Sequence, residues 1–499
     1  MNKVILFNPR SANSTFRIPN SILNIAASID GKFDWVIVDG NRETNPQQVI
    51  MDYLATGQFK YLGFTVMPGP QLKQAIPIAK AVKHNFKNTT MVWGGYFPSN
   101  HSKVVLDSGY VDFIINGPGD YSFPRLIDAL EHNQPYEFIK NLIYKADGKI
   151  VKNSKDDLPD QDALPPLPYN KLAEIYPFEK YLGKTYLGKK TIAYHSSIGC
   201  PFTCSFCAVV PIYEARWKAK SALTVYKDIK AIKDKWGADA IEFHDNNFFV
   251  SEKRAVDFAK LIMPENMTWW GMARIDTMAK FSDQSLTILR ASGCKIIFFG
   301  AESGNNEVLA QMDKGGTQTG KQIIEFAARL KKFDIIPEYS FVLGTPAPTP
   351  EQVWKQIRFE IDFIKQVKEA NPNAEIVIYT YSPVPTEGST LFNEVTAAGF
   401  SFPKTLEDWI SPAWEGFDLR KNPLTPWLSP EMIDAIRDFE TVLNGYYPTV
   451  TDIRLSNLKR NAIRFWAGMR YKTNWFSRPY EIKLLHKIWQ YRQPEIQGF

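Results

Sequence analysis

Short apolar runs typical of buried strands alternate with amphipathic helical segments through about the first 390 residues. Within residues 1–140, five such runs are separated by helical patterns such as residues 71–84. The runs are residues 4–7, 35–38, 61–66, 90–93 and 113–115. Strands that alternate with helices in this way join into parallel sheets through crossover connections. The pattern therefore predicts an α/β fold that begins with a doubly wound parallel sheet.

Turn-forming residues follow these predicted strands. They are Asn8-Pro9, Asp39-Gly40, Pro68-Gly69-Pro70, Gly94-Gly95 and Gly117-Pro118-Gly119. In open α/β sheets, ligands bind at the carboxyl ends of the strands, in the crevice where the strand order reverses. The first region is therefore predicted to hold a large cofactor or a nucleotide.

The rest of the chain divides into a linker, a second α/β region and a helical end. A stretch rich in Pro and Asp, residues 156–168, indicates the linker. Six strand and helix units follow, with strands predicted at residues 191–196, 240–244, 267–273, 295–300, 336–343 and 374–381. Six units fit a partial (β/α)6 barrel, in which functional residues are expected at the carboxyl ends of the strands.

The domain boundaries follow from this division. We predict a first α/β domain at residues 1–140, a linker at 141–189, the barrel at 190–395, and a mainly helical, aromatic and basic region at 396–499. A length of 499 residues and a hydrophobic content of 44% agree with two or three globular domains.

Three of the four cysteines, Cys200, Cys204 and Cys207, lie in the loop after the first barrel strand. The fourth, Cys294, is far along the chain beside a predicted strand. A 4Fe-4S cluster normally takes four protein thiolates. A cluster held by these three cysteines would therefore keep one iron open to a substrate or cosubstrate.

The cysteine spacing is also compatible with a zinc site or with structural cysteines. A zinc ion could take His195 as its fourth ligand. Three small apolar side chains could also share one helix face at this spacing, although Gly199 and Pro201 disfavour a helix here. A disulfide is not expected in so cysteine-poor a chain.

The C-x3-C-x2-C spacing, with Phe206 before the last cysteine, resembles the signature of the radical S-adenosylmethionine (SAM) enzymes. The segment His244-Asp245-Asn246-Asn247-Phe248-Phe249 resembles the D-x-N-F-F motif of subfamilies with an N-terminal cobalamin-binding domain. The run Gly300-Ala301-Glu302-Ser303-Gly304 resembles G-x-E-S-G. Leu343-Gly344-Thr345-Pro346 and Pro383-Val384-Pro385 resemble the remaining SAM-contacting turns.

This resemblance implies roles for particular residues. Cys200, Cys204 and Cys207 would hold a 4Fe-4S cluster whose open iron binds the amino and carboxylate groups of SAM. The implied SAM contacts are Asn246, Arg274, Glu302, Ser303, Gly344 and Pro383. Arg274 would pair with the SAM carboxylate or with a substrate anion, and a surface arginine is the alternative.

The first region is similar to the cobalamin (vitamin B12) binding domain of the same subfamily in residues 63–71 and 92–95. The implied cobalamin contacts are Thr65, Met67, Gly94, Gly95 and Gly117. Small residues there would let a flat corrin approach the backbone. The resemblance extends to the class that includes the anaerobic magnesium-protoporphyrin ester cyclase and cobalamin-dependent radical methyltransferases.

The chain also departs from the pattern of that class. The D-x-H-x-x-G motif that supplies a histidine to cobalt in other cobalamin proteins is absent from the sequence. Gly94-Gly95-Tyr96-Phe97-Pro98 stands where many relatives carry G-G-x-H-P, and Gly117-Pro118-Gly119-Asp120 stands where they carry G-E-G-E. A degenerate cofactor domain kept for packing or partner contact is the alternative. Methylthiotransferases are set aside because residues 1–199 contain no cysteine for a second cluster.

The resemblance implies an enzyme that cleaves SAM and, with cobalamin, methylates an unactivated carbon. The alternatives are cobalamin-assisted ring closure or oxidation of a tetrapyrrole-like or other large substrate, and a non-catalytic metal- or cofactor-binding partner protein. The implied partners are a small-molecule or natural-product substrate and an electron donor such as flavodoxin or ferredoxin. No catalytic side chain is identified, and the substrate is left open.

The net charge of +6 is unevenly distributed. Residues 451–499 carry ten Lys or Arg against three Asp or Glu, so the remainder is nearly balanced and nucleic acid is not expected as a partner. The first apolar run is too short for a signal peptide, and no apolar run reaches about 18 residues. We therefore expect a cytoplasmic protein, where a reducing environment suits an exposed cluster.

Aromatic and cationic residues interleave in the tail, at residues 464–466, 469–472 and 475–478. We expect these aromatics to pack on the barrel, because many Trp residues usually serve a core. Enclosure of a flat or greasy anionic substrate and contact with an anionic membrane surface are the alternatives.

Overall fold

The computed structural model describes residues 2–11, 17–312, 317–381, 390–414, 424–448 and 455–489, without the side chains of residues 390 and 391. It contains two large β-sheets, each flanked by helices, and a group of helices at the end of the chain. None of the helices in the described part of the chain has the length and apolar character needed to cross a bilayer.

The first sheet has seven strands in the order β2-β1-β3-β4-β5-β6-β7. Strands β1 to β5 are parallel, and β6 and β7 extend the sheet as an antiparallel hairpin. Their bounds are β1 Lys3–Asn8, β2 Trp35–Asp39, β3 Phe59–Thr65, β4 Thr90–Gly94, β5 Phe113–Ile115, β6 Leu142–Ala146 and β7 Lys149–Lys152. The helices between them are α1 Asn20–Ile29, α2 Pro46–Ala55, α3 Pro70–Asn85, α4 Tyr96–Asn100, α5 Ser102–Asp107 and α6 Ser122–Glu131.

The central strands are buried on both faces, which explains why they are continuous apolar runs in the sequence. In β1, the side chains from Val4 to Phe7 are fully buried. Val4 and Leu6 pack on one side of the sheet, whereas Ile5 and Phe7 pack on the other. A strand that is covered by helices on both faces has no position for a polar side chain. The predicted doubly wound sheet is confirmed. The hairpin β6–β7, which extends this sheet beyond residue 140, was not predicted.

The second sheet has six parallel strands in the order β15-β14-β13-β12-β11-β8. A short antiparallel ribbon of β9 and β10 follows β8. The bounds are β8 Thr191–Tyr194, β9 Ser197–Gly199, β10 Trp217–Ala219, β11 Ala240–Phe243, β12 Thr268–Ala273, β13 Cys294–Glu302, β14 Ile336–Leu343 and β15 Glu375–Thr380. This arrangement confirms the partial (β/α)6 barrel.

Helices flank the second sheet and connect its strands. They are α7 Tyr169–Ile175, α8 Val210–Tyr213, α9 Ala222–Trp236, α10 Glu252–Ile262, α11 Ile275–Met278, α12 Asp283–Ala291, α13 Asn306–Gln311, α14 Gly320–Lys332 and α15 Pro350–Ala370. Short 3-10 turns lie at Phe178–Tyr181, Phe248–Val250 and Met263–Glu265. The longest helix, α15, begins at a capping box in which Thr349 and Gln352 satisfy each other's backbone N–H groups.

The end of the chain is mainly helical, as predicted. Its elements are α16 Thr390–Ala397, a 3-10 turn at Glu407–Ile410, α17 Pro430–Tyr446, α18 Asn457–Lys472 and α19 Tyr480–Trp489. The segment that includes Trp409 and Trp414 packs on the first sheet, where Trp409 contacts Phe97 and His101. Helices α17, α18 and α19 pack together through Ile463, Ala467 and Ile482. The expectation that the tail aromatics pack on the barrel is wrong for Phe465, Trp466 and Trp475, whose side chains are exposed.

Candidate active site

The cysteine loop begins in the ribbon of β9 and β10. Gly199, the last residue of β9, has a φ of +73°, and a Cβ atom there would lie 2.1 Å from the carbonyl oxygen of Arg216. Only glycine can occupy this position without separating the two strands. Cys200 follows directly, so the ribbon places the first cysteine beyond the carboxyl end of β8.

The other two cysteines lie in a turn held from both sides. The Cys207 N–H donates to the Cys204 carbonyl at 3.1 Å, and the Ser205 N–H donates to the Met312 carbonyl at 3.0 Å. Burial raises the pKa of Cys200, and it raises the pKa of Cys207 to about 11. A thiolate in these positions needs a nearby positive charge, which a bound iron cluster would supply.

Arg274, at the carboxyl end of β12, supports this loop. Its Nη1 atom lies 3.0 Å from the Cys204 sulfur, and the guanidinium stacks 4.0 Å from the ring centre of Phe202. The Nε and Nη2 atoms donate to the two carboxylate oxygens of Asp276 at 2.9 and 2.7 Å. Both side chains of this pair are buried. Arg274 is therefore a neighbour of the cysteine loop and already has a carboxylate partner within the protein.

Cys294 lies apart from the other three cysteines. It starts β13 at the amino end, is fully buried in the apolar core, and has a pKa raised by that burial. Within the part of the chain that the structure describes, no three His, Cys, Asp or Glu side chains converge as ligands of a single metal ion. A 4Fe-4S cluster does not need three side chains to converge on one ion, because each of the three thiolates would bind a separate iron atom.

The D-x-N-F-F segment anchors the start of the cysteine loop. The carboxylate of Asp245 accepts hydrogen bonds from the N–H groups of Ser196 and Ser197 at 2.6 and 2.7 Å, and from the Ser196 hydroxyl at 2.6 Å. Arg254 donates to the same hydroxyl at 2.6 Å. Asp245 is fully buried, and burial raises its pKa. This anchoring role was not predicted from the sequence, although Asp245 is the first residue of the motif.

Asn246, a predicted SAM contact, joins the two halves of the molecule. Its Oδ1 accepts a hydrogen bond from the Tyr96 hydroxyl at 2.9 Å, and its Nδ2 lies 3.5 Å from the Gly199 carbonyl. Tyr96 starts α4, directly after the Gly94-Gly95 pair. Burial and then the neighbouring Tyr213 and Cys207 raise the pKa of Tyr96. The first sheet thus contributes a side chain to the surroundings of the cysteine loop.

Glu302 is the last residue of β13, and Ser303 begins the turn that follows it. Glu302 has a φ of +64°, a left-handed conformation that is uncommon for a residue other than glycine and is frequent at functional sites. Ser303 is fully buried, and its hydroxyl donates to Glu360 of α15. The other Glu360 oxygen accepts the Gly304 N–H at 2.9 Å. Ser303 therefore fixes the turn that carries Glu302.

Of the last two predicted SAM turns, the one that contains Gly344 contacts the C-terminal region. Gly344 follows β14 with a φ of +84°, and its carbonyl accepts a hydrogen bond from the Trp427 indole at 3.0 Å. Pro383 lies outside the described residues.

The predicted cobalamin contacts gather at the carboxyl edge of the first sheet. Thr65 ends β3 and pairs in register with Gly94, which ends β4. Gly95 has a φ of +99°, and a Cβ atom there would lie 2.8 Å from the Val66 carbonyl. Met67 is partly exposed beyond β3, and Gly117 follows β5 with a φ of +120°. Together they form a shallow, glycine-lined edge.

This edge of the first sheet meets the carboxyl end of the barrel. Besides the bond from Tyr96 to Asn246, Asn100 donates to the Ala208 carbonyl at 3.3 Å, one residue beyond Cys207. Asn20 donates to the carbonyl of Ala193 on β8 at 2.8 Å. The glycine-lined edge and the cysteine loop are therefore neighbours.

A polar group inside the barrel was not predicted. His244 approaches Glu242 at 3.3 Å, and Arg17 forms an ion pair with the same carboxylate at 3.1 Å. Nearby, Trp270 donates to Glu338 at 3.2 Å, and burial raises the pKa of Glu338 to about 7. The signal was present in the sequence, because these residues alternate with apolar ones along β11, β12 and β14 and so face the barrel interior.

Comparison with known proteins agrees with this geometry. Residues 194–359 match the Radical SAM superfamily. An uncharacterized methyltransferase of Pyrococcus horikoshii is 26% identical over 367 residues, which cover 72% of this chain and 77% of that protein. The anaerobic magnesium-protoporphyrin IX monomethyl ester cyclase of Synechocystis is 26% identical over 293 residues, covering 58% of this chain and 54% of the cyclase.

The fold extends the similarity beyond the barrel. The cobalamin-dependent SAM radical enzyme OxsB, in its structure with aqua-cobalamin and SAM bound, superposes with a TM-score of 0.70 and 14% sequence identity. The match covers 95% of this chain and 71% of OxsB. The three-cysteine loop and most of the barrel lie within the matched residues, so this chain contains a radical SAM domain. The fold of nearly the whole chain, including the first sheet, is similar to that of OxsB.

Proposed function

We propose that this protein is a cobalamin-dependent radical SAM methyltransferase that acts on an unactivated carbon of a small molecule. One observation carries the proposal: the glycine-lined edge of the first sheet adjoins the cysteine loop, and the hydrogen bond from Tyr96 to Asn246 connects the two sides. A methyl donor held at one side could reach a substrate carbon activated at the other.

The chain's own residues would divide the work as follows. Cys200, Cys204 and Cys207 would ligate a 4Fe-4S cluster, and Arg274 would hold the second of these ligands in place. Reduced cluster and SAM supply hydrogen abstraction from carbon, and cobalamin supplies a transferable methyl group. Asn246 and Glu302 would orient SAM from the ends of β11 and β13, while Ser303 and Gly344 would shape the turns around it.

The edge near Thr65, Met67, Gly94, Gly95 and Gly117 would hold the corrin. Side chains larger than hydrogen would collide with Val66 at Gly95, so the backbone itself would form the contact surface. The sequence lacks the D-x-H-x-x-G motif, which supplies a histidine to cobalt in other cobalamin proteins. We therefore propose that cobalamin binds here without a histidine ligand from that motif.

The chemistry also implies a location and a partner. A partly exposed cluster needs a reducing compartment, so we expect the enzyme to work in the cytoplasm with flavodoxin or ferredoxin as its electron donor.

A second candidate function is radical ring closure or oxidation of a tetrapyrrole-like substrate. The similarity to the Synechocystis cyclase over 58% of this chain favours it. The two functions share the cluster and SAM. They differ in whether the product has gained a methyl group, and product mass distinguishes them.

Anaerobic reconstitution tests the proposal. We expect protein reconstituted with iron, sulfide and hydroxocobalamin to show the absorption of both groups and to cleave SAM when reduced. Cys200→Ala, Cys204→Ala and Cys207→Ala should each lose most of the iron, whereas the matched control Cys294→Ala should keep it. Protein that binds iron and cleaves SAM but never retains cobalamin would contradict the cobalamin part alone.

A further inference from the structure

Large apolar side chains are exposed in one part of this molecule more than elsewhere. Among the described residues, eight of the fifteen exposed large hydrophobic side chains fall between residues 458 and 488. They are Leu458, Phe465, Trp466, Met469, Trp475, Tyr480, Leu484 and Ile488. A cluster of this size on a protein surface marks an interaction site more often than a chance arrangement.

Helix α18 is apolar on two opposite faces. Ile463, Ala467 and Tyr471 are buried against α17 and the core. At about 3.6 residues per turn, Leu458, Phe465 and Met469 lie along the opposite side. Phe465 is 68% exposed. A helix with apolar residues on both faces is expected to be covered on both faces, so the outer face needs a contact that the described chain does not supply.

The charges around this outer face are of one sign. Helix α18 contains five Lys or Arg residues and no Asp or Glu. Lys459 and Lys472 are exposed and border the apolar stripe at the two ends of the helix. Their long side chains can reach past the apolar stripe toward an acidic surface.

We propose that the outer face of α18, with Trp475 beyond its end, binds the surface of an anionic lipid bilayer. Helices that lie in the membrane interface combine an apolar stripe that contains Trp and Phe with flanking Lys and Arg. Tyr480, Leu484 and Ile488 give α19 a second exposed apolar stripe. The inference is independent of the proposed reaction, because none of these residues belongs to the candidate active site.

A second copy of this chain fits the same face less well. A symmetric dimer would bring the outer face of α18 against itself. The exposed cations of one helix would then meet those of the other, with no acidic residue on either helix to pair with them. An anionic bilayer supplies the opposite charge over the whole face and apolar contact below it.

Vesicle flotation with the full-length protein tests this inference. We expect binding to vesicles of phosphatidylcholine with about 30% phosphatidylglycerol, roughly tenfold weaker binding to pure phosphatidylcholine, and weaker binding at high salt. The double variant Phe465→Ser/Trp466→Ser should reduce binding at least about tenfold. Lys459→Gln/Lys472→Gln should reduce binding to the anionic vesicles roughly tenfold and leave binding to neutral vesicles unchanged.

The matched control is Phe138→Ser, because Phe138 is 88% exposed and lies far along the chain from this face. It should bind like the parent protein. Unchanged thermal unfolding of each variant would show that the fold is kept. Absence of binding by the parent protein, or equal binding by the Phe465 and Trp466 variant, would overturn the inference. The inference would also be overturned if the parent protein formed a concentration-dependent dimer that the Phe465→Ser/Trp466→Ser substitutions dissociate and that vesicles do not affect.

Discussion

At the scale of single residues, Arg274 contacts partners that the protein itself provides. One edge of its guanidinium is taken by Asp276, and another nitrogen points at the Cys204 sulfur. Glu302 stands out instead by its backbone, since a left-handed conformation costs free energy of about 1 kcal/mol or more. We therefore expect these two predicted SAM contacts to fail in different ways when they are substituted.

Substitution of Arg274 should affect the cluster before it affects SAM. We expect Arg274→Met to lower the iron retained after reconstitution by about half or more, because a buried charge pair is broken beside a cysteine ligand. Glu302→Gln should keep the iron and weaken SAM binding several-fold. The iron content per protein molecule measures the first effect, and the SAM affinity from calorimetry measures the second. Equal iron in the two variants would show that Arg274 does not support the loop.

The pKa of Glu338 makes a second prediction at this scale. Burial raises this pKa to about 7 from an ordinary value near 4.5, so the unfolded chain releases the proton at lower pH than the folded protein does. The protonated Glu338 therefore makes its full contribution to the stability of the folded protein below about pH 4.5, and this contribution is lost as pH rises through about 7. Glu338→Gln should therefore raise the melting temperature at pH 8 relative to the parent protein.

Thermal unfolding at about pH 5 and pH 8 measures this effect. The advantage of Glu338→Gln should shrink at the lower pH, where Glu338 is already neutral in the folded protein. Glu351→Gln, which removes an exposed carboxylate from the first turn of α15, is the control and should show no advantage at the higher pH. An equal advantage at both pH values would contradict the raised pKa.

Sequence motifs predict which residues belong to the site, but they do not indicate what each side chain contacts. Ser303 is predicted to face SAM, and the motif gives no sign that its hydroxyl donates to Glu360, which lies on a helix 57 positions further along the chain. Motif spacing describes neighbours along one loop. Partners brought in by another helix depend on packing, which no local pattern encodes.

At the scale of elements, the parallel strands could be predicted because burial on both faces makes them uninterrupted apolar runs. The hairpin β6–β7 was missed because Lys145 and Lys149 break that pattern at the exposed edge of the sheet. A signal was nevertheless available in Asp147-Gly148, where both residues adopt positive φ, as a two-residue hairpin turn requires.

Gly199→Ala tests the ribbon that carries Cys200. We expect it to destabilise the protein and to lower its iron content, because the new methyl group would lie 2.1 Å from the Arg216 carbonyl. Gly148→Ala is a matched control, since Gly148 has a φ of +74° but nothing within 4 Å of a Cβ atom. The control should cost about 1 kcal/mol of unfolding free energy and keep its iron. Normal iron in Gly199→Ala would show that the ribbon does not position the cluster ligands.

At the scale of the whole molecule, a few hydrogen bonds join the first sheet to the barrel. The sequence predicted both halves in their correct order, but not that Tyr96 would reach Asn246. The docking of two folded units depends on the shapes of two surfaces, and these shapes are formed by residues that lie far apart in sequence.

Tyr96→Phe tests whether this joint supports cofactor binding. It removes one hydroxyl and so should leave the fold and the iron content intact. Loss of a hydrogen bond of about 1 kcal/mol should weaken SAM binding about fivefold, because Asn246 is no longer held in one orientation. Tyr110→Phe, which removes a comparable 2.7 Å bond to Glu407 on the surface, should bind SAM normally. Equal SAM affinity in both variants would contradict a positioning role for Tyr96.

The edge of β8 has a consequence for how the protein is made. As an outer strand of the open barrel, β8 would present unpaired backbone groups that invite other strands to pair with it. Here Gly183 bridges Thr191, and Asn20 of the first region covers the Ala193 carbonyl. Synthesis proceeds from the amino end, so this cover leaves the ribosome and can fold before the vulnerable strand appears. The order of the two regions along the chain therefore allows the edge of β8 to be covered as soon as this strand is made.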